Sequence, residues 1–552
     1  MLLQISVLFL TLHATMSKSI LMTRLFKYIS ILLVLLFVQS HNIKSEEILR
    51  FESTSLVQED DFFLHTIERG QTVYSISIMY NVTVDDIYAL NPGSKDGIKA
   101  GSTLKIPQKS GSYHYHIIQP KETLYSISKK YGMKWDYIVD ANPGLSTQTV
   151  ISGKTIRIPT NMVTIPMETG NENAQKREIE ALLTKKDKGD DIRMIKIALL
   201  LPFGLKNGTG SLNAQNSHFV EYYEGFLMAL EQSKKAGVSV ELQVYDIGND
   251  ASTLPDILRK SAIQDVNLLI GGFEDNQIKL ISAFSKEKKI PYVIPFTSKS
   301  DEPLSNPHIF QVKMHQSDLY SKASASFCKQ FKDGHIIFFL SDPKNEKMEF
   351  EFVKALQSDL NQEKRAFNTI SYSERFYQEI HSQLSPDKLN IIIPSDDSSE
   401  TFAKMSAPLK VLSETHPELQ IAIFGYPRWQ RSSELMENYF KLRVSFFSEF
   451  YINPTFTEVK NFYYNFNKWY SRDLIDTYPK FGILGYDTGI FFIKGLHEYG
   501  TAFESNVNKI KTKGIQTDFK FERINNWGGF INSNIYIVSF NPDFTISKNA
   551  SK

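Results

Sequence analysis

The chain has 552 residues, with 62 lysines and arginines against 61 aspartates and glutamates, so its formal net charge is +1. This length predicts several domains, and the even charge excludes the basic excess that is typical of proteins binding nucleic acid or anionic membranes. The single cysteine, Cys328, excludes an internal disulfide.

The N-terminal leader, residues 1–40, has the pattern of a secretory signal peptide. Arg24 and Lys27 precede an apolar run over 29–38, which is too short to span a bilayer as a helix. An earlier apolar stretch has no basic residue before it, so we expect translation to start at Met22, with Met16 as the alternative. We predict cleavage after residue 40 and export to the periplasm or cell envelope, without a lipoprotein anchor. An uncleaved membrane anchor is the alternative.

After the leader, one motif occurs twice. The first copy, residues 65–93, reads HTIERGQTVYSISIMYNVTVDDIYALNPG, and the second, residues 116–144, reads HIIQPKETLYSISKKYGMKWDYIVDANPG. The copies align without a gap, and each is followed by a short strand that ends in Ile-Pro. A repeat of this regularity indicates one small folding unit that is used twice.

Each unit is predicted to fold as strand, helix, helix, strand. In the first copy a strand over 63–67 meets a turn at Gly70, and Thr72 lies where a helix N-cap belongs. Ile76 and Tyr80 recur at helical spacing and should face the small core of the unit. The Asn-Pro-Gly run of each copy ends the second helix.

The Gly-x-Thr box, the Tyr-Ser-Ile run, the Asn-Pro pair and the closing Ile-Pro closely resemble the LysM module. We therefore assign LysM modules to residues 62–108 and 113–160. The resemblance implies binding of peptidoglycan or another N-acetylglucosamine-containing glycan in a groove between the loop before the first helix and the loop after the second. Carried over to this sequence, the groove residues are Gly70, Gln71, Thr72, Asn91, Pro92 and Ile98, then Glu122, Thr123, Leu124, Asn142, Pro143 and Val150.

The second copy departs from the LysM pattern because Lys121 stands where the first copy has Gly70. A side chain at this point makes a positive φ angle less favourable. For both copies an alternative stays open, in which Asn-Pro-Gly is only a turn and the threonine only a helix cap.

Beyond a charged linker over 161–192, apolar strands alternate with amphipathic helices. The first buried strand starts at Ile195, and a second half with the same alternation begins with a helix at Asp318. Near the C-terminus we predict a long helix over 481–499 and a hairpin over 519–540. This alternation predicts an α/β domain with parallel sheets that are covered by helices on both faces.

Residues 193–545 resemble the two-lobed type I periplasmic solute-binding fold of the Leu/Ile/Val-binding and receptor-family ligand-binding proteins. The resemblance depends on LLLPF near Leu199, DIGND at Asp246, LLIGGFEDNQ at Leu268, IPYVIPFTSKSD at Ile290, FGYPRWQ at Phe424 and LGYDTGIFFIKGL at Leu484. LysM modules joined to this fold resemble envelope proteins of Bacteroidetes-type bacteria.

In such a fold a ligand binds between the lobes, beyond the carboxyl ends of the strands. That rule selects Phe203, Glu274, Asp275, Asn276, Thr297, Ser298 and Tyr426. Two carboxylates in the Glu274–Asn276 loop would repel an amino-acid carboxylate in a desolvated cleft. A cationic solute, a sugar or no ligand therefore remain open, and the two acids have a second interpretation as caps of the following helix.

The residues give no positive support for catalysis. Neither H-E-x-x-H nor G-x-S-x-G occurs, and Cys328 lies in a helical pattern typical of a packed core thiol. We predict no enzyme activity, no cofactor and no metal.

The sequence favours an exported envelope protein that binds peptidoglycan through two LysM modules. Its two-lobed domain would be a sensor or carrier of a small solute. One alternative is a non-catalytic scaffold whose two-lobed domain binds an envelope protein partner. A peptidoglycan hydrolase with unrecognised carboxylates is the third hypothesis, and nucleic acid is not an expected partner.

Overall fold

A computed structural model describes residues 61–108, 111–146, 150–160, 172–205, 216–341, 351–431 and 436–550. The predicted leader and its start site lie outside these ranges. The described residues all belong to one compact unit, Asp60–Lys552. None of the helices in these ranges combines the length and apolar character needed to cross a membrane.

The two repeats fold as the predicted strand–helix–helix–strand units, and in each unit the two strands pair antiparallel. The first unit consists of β1 (Phe62–Thr66), α1 (Val73–Tyr80), α2 (Val84–Leu90) and β2 (Thr103–Pro107). The second consists of β3 (Tyr113–Ile117), α3 (Leu124–Lys130), α4 (Trp135–Ala141) and β4 (Thr155–Pro159).

The predicted N-caps define where the first helix of each unit begins. Thr72 Oγ1 accepts the backbone N–H of Ser75 at 3.0 Å, and the Ser75 hydroxyl oxygen accepts the Thr72 N–H at 3.0 Å. Thr123 and Ser126 make the same reciprocal pair in the second unit. The cap prediction is therefore confirmed in both copies, and each cap satisfies donors that the helix itself leaves unpaired.

The segment predicted as a linker contains a helix, α5 (Glu172–Lys188). Ile179 and Leu183 lie one helical turn apart and are buried in the core of the second LysM unit. At its end, the backbone N–H of Asp190 donates to the Thr501 hydroxyl at 2.7 Å. Within the described residues, the stretch is therefore packed on the second LysM unit and bonded near its C-terminal end, and it is more than a spacer.

The remaining chain folds into two α/β lobes, and each contains a seven-stranded sheet. The sheet of the first lobe has the order β15-β16-β9-β8-β7-β5-β6, in which the strands from β6 to β16 run parallel and β15 is antiparallel. Its strands are β5 (Ile195–Leu201), β6 (Val240–Asp246), β7 (Leu268–Gly271), β8 (Tyr292–Ile294), β9 (Ile309–Gln311), β15 (Phe521–Arg523) and β16 (Phe530–Asn532).

The second lobe repeats this order as β11-β10-β12-β13-β14-β17-β18, with β17 and β18 antiparallel to their neighbours. Its strands are β10 (His335–Leu340), β11 (Phe367–Ser371), β12 (Asn390–Pro394), β13 (Ile421–Gly425), β14 (Ser445–Ser448), β17 (Tyr536–Phe540) and β18 (Ile546–Ala550). In both lobes the first five strands follow the doubly wound order 2-1-3-4-5.

Helices cover the faces of both sheets, as the alternating pattern predicts. The first lobe contains α6 (Ser217–Lys235), α7 (Leu254–Leu258), α8 (Asp275–Lys288), α14 (Thr457–Tyr470), α15 (Phe481–Tyr499) and α16 (Phe503–Asn506). The second contains α9 (Gln316–Gln330), α10 (Glu351–Gln362), α11 (Phe376–Gln383), α12 (Ser399–Thr415) and α13 (Met436–Lys441). Helices α6 and α15 pack so closely at Gly485 that a Cβ there would collide with the Tyr222 carbonyl.

Within the described residues, the chain passes between the lobes three times, after β9, β14 and β16. A hydrogen bond joins the crossings after β9 and β14: the Met314 N–H donates to the buried Glu449 carboxylate at 2.7 Å. The prediction of one hairpin over 519–540 was wrong: β15 and β16 form a hairpin, but β17 leaves for the other sheet. Asn532 pairs in the first lobe, and only four residues later Tyr536 pairs in the second.

Candidate functional site

The loop before α1 in the first LysM unit contacts the second lobe directly. Gly70 has φ +88°, and a Cβ at this position would collide with the carboxylate of Asp318 in α9. Glycine favours this turn and is needed here for the close approach of Asp318. Lys121 takes the same backbone conformation in the second unit, with φ +70°.

Polar side chains hold these loops from inside each unit. Gln71 Oε1 accepts from His65 Nε2 at 2.7 Å and from the Glu68 N–H at 2.9 Å. Glu122 makes the equivalent contacts with His116 at 2.8 Å and the Gln119 N–H at 2.7 Å. Burial lowers the pKa of His65 and His116, although these partners oppose the shift. The Gln71 and Glu122 side chains thus shape their own loops.

The two asparagines of the Asn-Pro-Gly runs are also used inside their units. The Asn91 amide joins the end of α2 to β2, with bonds to the Ile87 carbonyl at 2.8 Å and to both backbone groups of Lys105 at 2.8 and 2.9 Å. Asn142, which is fully buried, makes the same set of bonds. Pro92 is exposed beside Asn91. These asparagine side chains connect helix to strand.

Four of the predicted groove residues surround one cavity of about 890 Å³, and they are Gly70, Gln71, Thr72 and Ile98. Lys99 and Ala100 extend this wall, which we call the module wall (residues 69–72 and 96–100). The opposite side of the cavity comes from helices α9 and α10 of the second lobe and is called the lobe wall. It consists of Ser317, Tyr320, Ser321, Glu351, Ala355, Ser358, Asp359, Asn361 and Gln362.

The module wall contains backbone donors that have no partner among the described residues. Among the hydrogen bonds of the described residues, none is donated by the backbone N–H of Gly70, Ile98 or Lys99. The half-buried Ile98 side chain adds an apolar surface between them. Unpaired N–H groups beside an apolar side chain are suited to a ligand with carbonyl or hydroxyl oxygens and a flat apolar face.

The first LysM unit contacts both lobes at once. In the second lobe, Arg69 pairs with the Asp359 carboxylate at 2.7 Å and donates to the Ser321 carbonyl at 3.2 Å. In the first lobe, the Tyr74 hydroxyl donates to Asp301 at 2.8 Å. The first LysM unit therefore bridges the two lobes.

The second LysM unit is docked on the β15–β16 hairpin. The Gly144 N–H donates to the Asn526 carbonyl at 2.7 Å, and the Asn526 amide donates to the Thr155 carbonyl at 2.8 Å. Leu124, predicted to line the second groove, is 3% exposed and belongs to the core of the unit. Val150 packs on the same core. Pro143, beside Gly144, is half-buried.

The predicted inter-lobe residues lie in different environments. Phe203 is buried at the carboxyl end of β5, and half-buried Thr297 and Ser298 follow β8. Tyr426 is 1% exposed in the second core, where its hydroxyl donates to the Pro394 carbonyl at 2.6 Å. The structure thus brings the first-lobe residues to one edge of the sheet but does not expose Tyr426.

The two acids of the predicted inter-lobe loop lie at a helix start. Exposed Glu274 is the N-cap residue of α8, and exposed Asp275 opens its first turn and pairs with Lys279 at 2.7 Å. Exposed Asn276 accepts the Gln277 N–H at 2.8 Å. The alternative interpretation of the acids as helix-start residues is confirmed.

Sequence patterns did not indicate an aromatic cluster at this edge. Phe219 lies 5.4 Å from Phe273 and 5.1 Å from Phe296, and Phe296 stacks on Phe481 at 5.5 Å between ring centroids. Phe273 is exposed at the rim. The four rings of this cluster come from four separate segments. Phe219, Phe273 and Phe296 come after β5, β7 and β8, whereas Phe481 opens α15, so no local pattern suggested that the four meet.

The single cysteine packs in a hydrophobic core. Cys328 is buried in the second core, and burial raises the pKa of its thiol to about 11. The prediction of a packed core thiol is therefore confirmed. Within the described ranges, no cluster of histidine, cysteine, aspartate or glutamate has a geometry that could hold a metal ion.

Sequence comparisons identify the repeated units. The LysM domain model matches residues 65–107 and 116–159. The YdhD protein of Bacillus subtilis (strain 168) is 31% identical over 97 residues, which cover 18% of this chain and 22% of that protein. N-acetylmuramoyl-L-alanine amidase sle1 of Staphylococcus haemolyticus (strain JCSC1435) is 25% identical over 122 residues, which cover 20% of this chain and 36% of that protein. The chain thus spans well under half the length of these relatives.

A structural comparison finds a similar protein of Rhodospirillum rubrum, assigned to a branched-chain amino acid ABC transporter. It is 13% identical, with a TM-score of 0.45, and the match covers 64% of this chain and all of that one. The strand order and lobe crossings described above define the architecture. Residues 65–107 and 116–159 are LysM domains, joined to a two-lobed α/β domain of the type I periplasmic-binding-protein fold.

Proposed function

We propose that this protein is exported to the cell envelope and binds the N-acetylglucosamine-containing glycan of peptidoglycan through its LysM domains. The observation that carries the proposal is the module wall, where Gly70, Gln71, Thr72 and Ile98 of the LysM pattern line one cavity of about 890 Å³. The backbone N–H groups of Gly70, Ile98 and Lys99 have no partner among the described residues. Acetamido and hydroxyl oxygens of a glycan can accept from these groups, while Ile98 covers a sugar face. In this proposal the first domain is the principal glycan site.

The two-lobed domain, in the same proposal, binds a small solute at the carboxyl edge of the first lobe and acts as a sensor or carrier. Phe203, the 274–276 loop and Thr297 follow parallel strands at this edge, which is where doubly wound sheets bind ligands. Exposed Glu274 and Asp275 favour a cationic or hydroxylated solute over a free carboxylate. Tyr426 is not part of the proposed site because it is buried.

Sedimentation with purified sacculi tests the glycan site. Ala100 is exposed and lines the cavity, so Ala100→Trp fills the groove without removing the Thr72 cap. The matched control is Ala89→Trp, at an exposed position of α2 that does not line this cavity. We expect at least a tenfold weaker apparent affinity for Ala100→Trp and no change for the control. Equal sedimentation of the two variants would reject the groove.

A thermal-shift screen of the full chain tests the solute site, with polyamines, amino acids, sugars and muropeptides as the panel. A ligand at 100 times its Kd stabilises the folded state by about 2.7 kcal/mol, which gives a measurable shift. A hit that is lost in Asp275→Asn supports the sensor or carrier. If no compound of the panel shifts the melting temperature while sacculus binding stays intact, the result would favour the scaffold that binds a protein partner.

A further inference from the structure

We infer that a glycan in the first LysM groove also contacts the second lobe, so that the binding site is shared between a LysM domain and helices α9 and α10. The inference rests on the proposed function and adds a second set of binding residues to it. The starting observation is that the groove does not open to bulk solvent alone, since the lobe wall faces the module wall across the cavity.

One face of α10 faces the module wall. Glu351, Ala355, Ser358 and Gln362 all line the cavity, at spacings of four, three and four residues, which places them on one side of a helix. The opposite face of α10, including Phe352, is buried in the core of the lobe. The cavity side is therefore available to a ligand, while the helix itself is fixed by packing.

The small residues of the lobe wall leave room for a ligand. Ala355 and Ser358 lie in the middle of the α10 face, and Ser317 and Ser321 lie one turn apart on α9. Larger side chains at these four positions would close the gap to the groove. The remaining volume of about 890 Å³ is within the range of about 300–1,000 Å³ that is usual for ligand pockets.

An ion pair connects the two walls. Arg69 belongs to the module wall, and Asp359, whose side chain is only 13% exposed, belongs to the lobe wall. Their contact of 2.7 Å neutralises both charges beside the cavity. The pair thus contributes no net charge to the cavity.

The chemistry of the two walls selects the ligand class. The module wall offers N–H donors and Ile98, while the lobe wall offers serine hydroxyls, the Gln362 amide and the Glu351 carboxylate. Asp96, Lys99 and Glu351 add charges of both signs to these walls, so the cavity suits a polar ligand whose hydroxyl and acetamido groups can bond to either side. A linear N-acetylglucosamine oligosaccharide has this character.

The test measures binding of the soluble tetramer of N-acetylglucosamine to the full chain by calorimetry. Ser358→Tyr places a ring in the cavity from the lobe wall, and Lys354→Tyr places the same ring at an exposed position of α10 that does not line the cavity. We expect a Kd at least about tenfold higher for Ser358→Tyr, which corresponds to 1.4 kcal/mol. Lys354→Tyr should bind as the wild type.

Gln362→Ala provides a second variant, because truncation of this exposed residue leaves the core intact. The loss of one polar contact should raise the Kd about threefold. If Ala100→Trp abolishes tetramer binding while Ser358→Tyr and Gln362→Ala bind like the wild type, the shared site is wrong but the LysM glycan site stands. If the wild type binds neither tetramer nor sacculi, the proposed function itself fails.

Discussion

Trp527 and Arg157 donate to the same acceptor, the carbonyl oxygen of Met79, at 3.3 and 3.4 Å. The Arg157 guanidinium also lies 4.6 Å from the centre of the Trp527 ring. Trp527 comes from the hairpin of the first lobe, Arg157 from the second LysM domain and Met79 from the first. This contact joins three parts of the molecule that are far apart in sequence.

Trp527→Ala should loosen the LysM pair from the two-lobed domain. The ring is 2% exposed and packs in the core of the first LysM domain, so its removal leaves a cavity. We expect a loss of about 3–5 kcal/mol in the free energy of unfolding, measured with urea. Trp469→Ala is the control, since Trp469 is 47% exposed and should cost much less. Equal losses for the two variants would contradict the docking role of Trp527.

Asp318→Asn should change how stability depends on pH. Burial raises the pKa of Asp318 from 3.8 to about 6. The folded state therefore holds this proton more tightly than the unfolded state, so stability falls as pH rises from about 4 to about 6. Asn removes this slope and should raise stability at pH 7 by up to about 3 kcal/mol. Urea titrations at several pH values measure it.

The control for this pH effect is Asp387→Asn, at an exposed aspartate. We expect the control to keep the wild-type slope between pH 4 and pH 6. If Asp318→Asn kept the same slope, the carboxylate beside Gly70 would not be the titrating group.

Arg69 and Asp359 should be only weakly coupled in stability. The Arg69 side chain is 42% exposed, and exposed ion pairs contribute about 0.2–1 kcal/mol. A double-mutant cycle with Arg69→Ala and Asp359→Ala measures this coupling, and about 1 M NaCl should weaken it. A coupling above about 2 kcal/mol that salt does not change would show that the pair is more buried than the structure indicates.

Asp487→Ala should be strongly destabilising. The carboxylate of this buried residue in α15 accepts the N–H groups of Ile515, Gln516 and Thr517 at 2.7, 2.9 and 3.1 Å. Alanine leaves all three donors unpaired, so we expect a loss of at least about 3 kcal/mol in urea unfolding. Asp487→Asn keeps one acceptor oxygen and should lose less. A wild-type urea midpoint for the alanine variant would disprove this account.

Local features were predictable from sequence because neighbouring residues determine them. The Thr72 cap depends on Ser75, three residues away, and the repeat makes the prediction twice. The groove assignment was less predictable, because the same Asn91 that a glycan could contact is close enough to Lys105 to bond its backbone. Sequence alone does not show which of two partners a polar side chain takes.

Long-range contacts were not predictable. Ser358 faces a groove loop that lies almost three hundred residues earlier, and no local pattern distinguishes it from any other exposed serine on a helix. Tyr426 follows a parallel strand, as ligand residues do, but its hydroxyl finds the Pro394 carbonyl inside the core. The charged stretch over 161–192 was predicted only as a linker, and the sequence did not show that Ile179 and Leu183 would be buried on the second LysM core.

The bridge made by the first LysM domain has a thermodynamic consequence. Tyr74 is bonded to one lobe and Arg69 to the other, so a hinge rotation that separates Asp301 from Asp359 must break one of these bonds. Any solute that favours one hinge angle therefore changes the free energy of the groove loop. If a glycan in the groove prefers one of these hinge angles, reciprocity requires that glycan and solute change each other's affinity by the same factor. Anchoring and sensing would be two readouts of a single equilibrium.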